Sequence, residues 1–194
     1  MSSIPETRAK LTWEVDLPGG QRRLREAVLY VSKACERTPF FGLVKLNKII
    51  WHADFESFTQ RGQPVTGRMY QKLRQGPAPV EMLPVLNDLQ AEGHLKISRI
   101  LKGHHYEQRP VALSDPFLTI FSRQDLDYLD RAVAAYWDLT AKEVSEKSHG
   151  VAWRTRENGE PMPYQSAYLS DEPIGAGQRG RLLKLGAEHG WRSK

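Results

Sequence analysis

The segment that decides the fold is KLNKIIWHADF, residues 45–55. With its neighbours it places apolar residues on two adjoining faces of a helix: Leu43, Leu46, Ile50 and Ala53 on one, and Trp51, Phe55 and Phe58 on the other. A helix that is apolar over so much of its circumference is expected at the centre of a core. Its polar members Lys45, Asn47, Asp54 and Glu56 therefore either reach a narrow solvent-exposed edge or are paired inside the protein.

Apolar residues recur at helical spacing on both sides of this segment. The pattern predicts four further helices: one from Arg22 to a stop at Thr38-Pro39, one from Val80 to Gly93, one that begins at Ser122 and one from Thr140 to His149. Pro84 predicts either a kink or a late start in the second of these. The residues expected in the core are Leu46, Ile50, Ala53, Leu86, Leu89, Leu129 and Val133.

Two regions favour extended backbone over helix. Val65 to Gln75 contains the β-favouring pair Met69 and Tyr70, which predicts a short strand, and Gly76-Pro77-Ala78-Pro79 predicts a rigid loop after it. Leu95 to Leu113 predicts a β-hairpin. The fold class is therefore mainly α (α+β): a compact helical domain with a small β element, consisting of a short strand plus a hairpin.

The 194 residues fit a single domain with appendages. Residues 1–20 show no sustained period and end in Leu17-Pro18-Gly19-Gly20, so they are predicted to form an N-terminal extension. The helical domain is predicted over residues 21–165. Residues 166–194 form a basic C-terminal tail in which Arg181 to His189 is a candidate helix.

Composition narrows the class of protein. The chain is 40% hydrophobic and 26% charged, which is ordinary for a globular fold. It contains no apolar stretch of the roughly 18 to 20 residues that a membrane helix needs, and its one cysteine, Cys35, cannot form an intramolecular disulfide. We therefore expect a cytoplasmic protein without a membrane partner. The net charge of +5 suits either nucleic acid or an acidic protein surface as a partner.

The sequence gives no strong signal for catalysis or for a cofactor. His52, Asp54 and Glu56 are the best candidates for a metal site, but residues two apart on a helix face away from each other, so no metal is predicted. The stretch Gly175 to Gly180 matches a dinucleotide-binding glycine pattern, but it follows no strand and lacks room for a βαβ unit. We predict no catalytic residues, no cofactor and a binding function.

Several motifs, taken in order, resemble one known family. They are the 45–55 segment, Thr66-Gly67, Tyr70-Gln71-Lys72-Leu73, Gly76-Pro77-Ala78-Pro79, Phe121-Ser122 with residues 125–136, Thr140-Ala141-Lys142-Glu143, Ser148-His149 and Trp153. Together they are similar to the Panacea domain, also called the SocA-like antitoxin domain, over about residues 24–165. The resemblance implies a mainly helical domain with a small β element that neutralises a cognate protein toxin by direct contact. The positions that carry the family signature, for which we expect structural roles, are Lys45, Leu46, Ile50, Ala53, Asp54, His149 and Trp153.

We expect a cationic or backbone donor to hold Asp54, and we expect the partner to dock on the Thr66 to Pro79 region. The predicted partner-binding residues are Tyr70, Lys72, Arg74, Gly76, Pro77 and Pro79. Glycine and proline restrict the backbone there, and tyrosine and arginine often dominate interface energy. Alternatively, Tyr70 packs as a strand residue and the Gly-Pro pair only turns the chain into the next helix.

A second function remains open, namely a winged-helix-like DNA-binding regulator. The helix after Pro79 followed by the Leu95 to Leu113 hairpin resembles that arrangement, and an antitoxin can also bind operator DNA. However, Pro79 to Glu92 carries three acids and neither lysine nor arginine, which disfavours contact with phosphate. The oligomeric state is left open.

Overall fold

A computed structural model describes residues 11–103 and 105–169 and has a mainly helical, mixed α+β architecture. The helices in this part of the chain are α1 (Arg22–Ala34), α2 (Leu43–Arg61), α3 (Met82–Ala91), α4 (Arg123–Tyr136), α5 (Ala141–Lys147) and α6 (Val151–Arg154), with short 3-10 helices at Leu118–Ile120 and Tyr164–Tyr168. The strands are β1 (Tyr70–Leu73), β2 (Gly76–Pro79), β3 (Leu95–Lys102), β4 (His105–Ala112) and β5 (Pro161–Met162). The predicted fold class is confirmed.

Helix α2 is the centre of the core, as its two apolar faces predict. It contacts α1, α4, α5, β2 and the 3-10 helix at Tyr164–Tyr168. The seven residues predicted to be core are all buried: Leu46, Ile50, Ala53, Leu86, Leu89, Leu129 and Val133. Truncation of such a side chain to alanine typically costs about 2 to 5 kcal/mol, so this stripe is a main source of stability.

Local signals at the helix ends account for the predicted starts at Ser122 and Thr140. Ser122 with Asp125, and Thr140 with Glu143, both form complete capping boxes. Gly62 ends α2 in the left-handed conformation and donates its N–H to the Phe58 carbonyl at 2.8 Å. Pro84 lies in the first turn of α3, where a helix needs no N–H donor, so the late start is the correct alternative.

The small sheet has the order β2-β1-β5, and both pairs are antiparallel. The prediction of a rigid loop at residues 76–79 is wrong, because these residues form strand β2 and pair with β1 from Tyr70 opposite Pro79 to Leu73 opposite Gly76. Proline is tolerated there because β2 is an edge strand. Strand β5 was not predicted, since two residues are too short for a periodic signal. The predicted hairpin is confirmed as β3–β4.

The segment before α1 contacts the sheet region. Val15 N–H donates to the Gly67 carbonyl at 2.9 Å, Tyr164 N–H donates to the Thr12 carbonyl at 2.8 Å, and Leu17 is buried. The division into residues 1–20, 21–165 and 166–194 stays a prediction. The candidate helix at Arg181–His189 lies outside the described residues. Within 11–103 and 105–169, no helix is long and apolar enough to cross a membrane.

Candidate partner-binding face

Asp54, the aspartate of the 45–55 segment, organises the backbone that leads into the small sheet. One carboxylate oxygen of Asp54 accepts the backbone N–H groups of Val65 at 2.8 Å and Thr66 at 2.6 Å. The other accepts the hydroxyls of Thr66 and of Tyr70, the latter at 2.8 Å. The Tyr164 hydroxyl lies 3.4 Å from this oxygen and donates to the Arg68 carbonyl at 2.7 Å. The expected backbone donors are thus confirmed, and two hydroxyls complete the site in place of a cation.

Asp54 is completely buried, and its surroundings shift several pKa values. Burial raises the pKa of Asp54, while the hydrogen bonds from Thr66, Tyr70 and Val65 oppose that rise. Burial also raises the pKa of Tyr70 and Tyr164 well above the usual tyrosine value, and the nearby Asp54 charge adds to it. Both tyrosines therefore stay protonated as donors, and the carboxylate has every acceptor position used.

Four of the six predicted partner-binding residues are buried. Tyr70 has no exposed surface, and Gly76, Pro77 and Pro79 are buried in β2. These four residues therefore pack within the domain and shape the hairpin. The alternative that Tyr70 packs as a strand residue is correct. Lys72 and Arg74 are the two of the six whose side chains reach solvent.

The tip of the β1–β2 hairpin is held by the segment that contains α5 and α6. Trp153 Nε1 donates to the Leu73 carbonyl at 2.8 Å, and Ser145 Oγ donates to the Gln75 carbonyl at 2.9 Å. Lys72 Nζ donates to the Arg156 carbonyl at 2.5 Å and lies 4.3 Å from the centre of the Trp153 ring. The backbone carbonyls of Leu73 and Gln75, on either side of Arg74, are therefore held by hydrogen bonds from this segment.

The two signature residues near the C-terminal side of the domain pack against each other and lie beside this hairpin. The His149 ring stacks on Trp153 with a centroid distance of 3.7 Å and an interplanar angle of 12°. Both are half-buried. Leu73, on the hairpin, keeps 37% of its surface exposed. We define the hairpin face as Lys72, Leu73, Arg74, His149 and Trp153: cationic and aromatic groups on a backbone held by hydrogen bonds.

Two lysines of α2 are buried beneath this region, in different surroundings. Lys45 Nζ donates to the carbonyls of Pro39 at 3.0 Å and Trp137 at 2.9 Å, so this signature residue is paired inside the protein. Lys48 Nζ donates to the Pro77 carbonyl at 2.6 Å. Burial lowers the pKa of Lys48 from 10.5 to about 7. Gly76 packs against both Lys48 and α5, and a Cβ at this glycine would overlap Ser148 Oγ and lie 2.6 Å from Lys48 Cε.

Lys48, Ser145 and Tyr164 were missed as site residues. Lys48 had a usable signal, because it precedes Trp51 by three residues and Phe55 by seven and so falls on the second apolar face of α2. Ser145 and Tyr164 carried no local signal for the contacts they make.

The residues considered for a metal are dispersed. Asp54 faces the hydroxyls described above, whereas His52 Nε2 lies 3.5 Å from Glu56 and its Nδ1 lies 3.2 Å from the Tyr136 hydroxyl. No cluster of three or more His, Cys, Asp or Glu side chains suited to a metal occurs in the described ranges.

Comparison with known proteins gives one result. The chain matches the model of the family described as antitoxin SocA-like, Panacea domain, over residues 46–154, which is more than half of its length. The match begins in α2 and ends in α6, so it includes the hairpin face and the Asp54 site. No curated protein and no solved structure matches the chain.

Proposed function

This chain belongs to the antitoxin SocA-like, Panacea domain family, and we propose that it neutralises a cognate protein toxin by direct binding in the cytoplasm, without a catalytic step. The observation that carries the proposal is the family match across α2, the hairpin and α5–α6. Neutralisation by binding requires a surface that is complementary to the toxin. The hairpin face is our candidate for that surface.

The physical support for this face is its preorganisation. Hydrogen bonds from Trp153 and Ser145 fix the backbone on both sides of Arg74, so docking orders few additional groups. Tryptophan and arginine are among the residues that most often dominate binding energy at interfaces. Lys72 and Arg74 add positive charge, which would steer an acidic partner surface toward the face.

The test is co-expression with the cognate toxin. We expect Lys72→Glu and Arg74→Glu to reduce growth rescue and co-purification, because each reverses a charge on the face. Lys96→Glu is the matched control, since Lys96 is exposed on β3 and makes the same charge change elsewhere. Circular dichroism and thermal melting confirm the fold of each variant. Folded Lys72 and Arg74 variants that still rescue growth and retain the toxin would remove the hairpin face from the interface.

The DNA-binding alternative has weaker support. Helix α3 carries no lysine or arginine, and Arg109 of the hairpin β3–β4 donates to the carbonyls of Cys35, Glu36 and Thr38. Because these hydrogen bonds use the Arg109 guanidinium, it is less available to bind DNA phosphate. A steep loss of affinity for operator DNA with added salt would favour this alternative over toxin binding alone.

A further inference from the structure

An open pocket of about 500 Å³ lies between α2 and the β1–β2 hairpin. Asn47 and Lys48 line it from α2, and Arg74, Gln75 and Gly76 line it from the hairpin. It therefore adjoins the hairpin face and shares Arg74 with it. The wall includes two cations and, among the described residues, neither aspartate nor glutamate.

Lys48 is the unusual member of this wall. Its side chain is only 2% exposed, and within the described ranges Nζ makes one hydrogen bond, to the Pro77 carbonyl. An ammonium has three donors, and a buried charge is normally paired with an opposite charge. No carboxylate in the described part of the chain forms an ion pair with Lys48. Two donor positions of the Lys48 ammonium are thus unused by the described residues, and these residues supply no counter-charge.

The pocket is also lined by the polar side chains of Arg74 and Asn47. Arg74 is exposed and makes no ion pair with the described residues, so it offers a second cation at the rim. Asn47 donates its amide to the Leu43 carbonyl at 2.9 Å, while its buried Oδ1 accepts no hydrogen bond from the part of the chain that the structure describes. The pocket therefore presents cationic donors together with one unused acceptor. An acidic residue in a peptide supplies both complements, a carboxylate and a backbone N–H, whereas a bare anion supplies only the first.

We infer that this pocket receives a carboxylate side chain, aspartate or glutamate, of the toxin, with Lys48 at its base and Arg74 at its rim. The inference rests on the proposed function and specifies which toxin group the antitoxin recognises. An ion pair formed in a buried setting gains more than one in water, and the toxin carboxylate provides the counter-charge that Lys48 lacks. A neutral or cationic residue at this place would leave the lysine charge unpaired, which gives specificity.

Proton uptake distinguishes this role from a purely structural one. With a pKa of about 7, Lys48 is partly neutral at neutral pH in the free protein, and a bound carboxylate stabilises its charged form. Binding should therefore take up a proton, and affinity should fall as pH rises above about 7. The other groups that face Lys48 are Ser148, His149 and Arg74; of these, His149 has its pKa lowered by burial and by Lys48, so it titrates below this range.

The experiment is calorimetry with the co-purified toxin at pH 7, in two buffers of different ionisation enthalpy. We expect wild type to take up roughly half a proton on binding. Lys48→Met, an apolar side chain of similar length, should abolish the uptake and weaken binding at least about tenfold, and Arg74→Gln should weaken it less. Lys96→Met, on exposed β3, is the matched control and should change neither quantity.

A double-mutant cycle identifies the toxin carboxylate. Each acidic residue of the toxin is changed to its amide and measured against wild type and Lys48→Met, and one such residue should be strongly coupled to Lys48. Should Lys48→Met fail to fold, proton uptake by wild type and the same cycle run with Arg74→Gln decide the question. Toxin that binds wild type without proton uptake, and with no acidic residue coupled to Lys48 or Arg74, overturns the inference while the proposed function stands. Competition by inorganic phosphate without such coupling overturns it as well. Wild type that does not bind the toxin refutes the proposed function itself.

Discussion

Asp54 and Lys48 lie six residues apart on the same helix, both almost fully buried, yet their surroundings differ completely. Asp54 accepts two backbone N–H groups and two hydroxyls, so its polar capacity is used within the domain. Lys48 has one carbonyl acceptor, no carboxylate partner among the described residues, and a pocket beside it. The comparison shows that burial alone does not distinguish a structural polar group from a recognition group. What distinguishes them is whether the domain itself satisfies the group.

The largest expected effect on stability is at Asp54, whose hydrogen-bonding capacity is used within the domain. Asp54→Ala should reduce the free energy of unfolding by about 4 kcal/mol, because it leaves the N–H groups of Val65 and Thr66 buried without an acceptor. Chemical denaturation measures it. Asp127→Ala, at an exposed site on α4, is the control and should change stability by less than about 0.5 kcal/mol. An Asp54 variant of normal stability that no longer binds toxin would reverse the assignment and make Asp54 the recognition group.

The next effect concerns Gly76, which packs against Lys48. Gly76 has φ +98°, and a Cβ there would overlap Ser148 Oγ and crowd Lys48. Gly76→Ala should therefore cost about 3 kcal/mol, from the left-handed backbone and from overpacking. Gly62→Ala is the matched control, because Gly62 also has a positive φ of 74° but no atom within 4 Å of an added Cβ, and it should cost about 1 kcal/mol. Equal losses at the two glycines would mean that the packing between α2, β2 and α5 adds nothing.

The last effect is a dependence of stability on pH. The pKa of Lys48 is about 7 in the folded protein and near 10.5 when unfolded, so the unfolded chain binds more protons between these values. The free energy of unfolding of wild type, relative to Lys48→Met, should therefore rise with pH across this window, by up to about 1.4 kcal/mol per pH unit, and should be flat below pH 6. Urea titrations at pH 6, 7, 8 and 9 measure the difference. A difference that does not vary with pH would indicate that Lys48 stays charged when the protein is folded, paired within the chain.

Much of the fold was predictable because its signals are local. The apolar faces of α2, the capping boxes at Ser122 and Thr140 and the β3–β4 hairpin each depend on residues within a few positions of one another. The expectation that Asp54 is held by backbone donors also succeeded, since a polar residue on a central helix must be paired. The exposure of the candidate site residues was predicted less well. Lys72 and Arg74 reach solvent as expected, but Tyr70, Gly76, Pro77 and Pro79 do not.

The sequence by itself determined that helices α1 to α5 form and roughly where they lie, which faces of α2 are apolar, and which family motifs the chain carries. Only the tertiary structure decided that Tyr164 reaches Asp54 across 110 positions, that residues 76–79 pair as an edge strand, and that no carboxylate in the described part of the chain reaches Lys48. The physical reason is range. Helix periodicity and capping act over one or two turns, whereas the hydrogen-bond partners and the solvation of a buried charge depend on which distant segments pack around it.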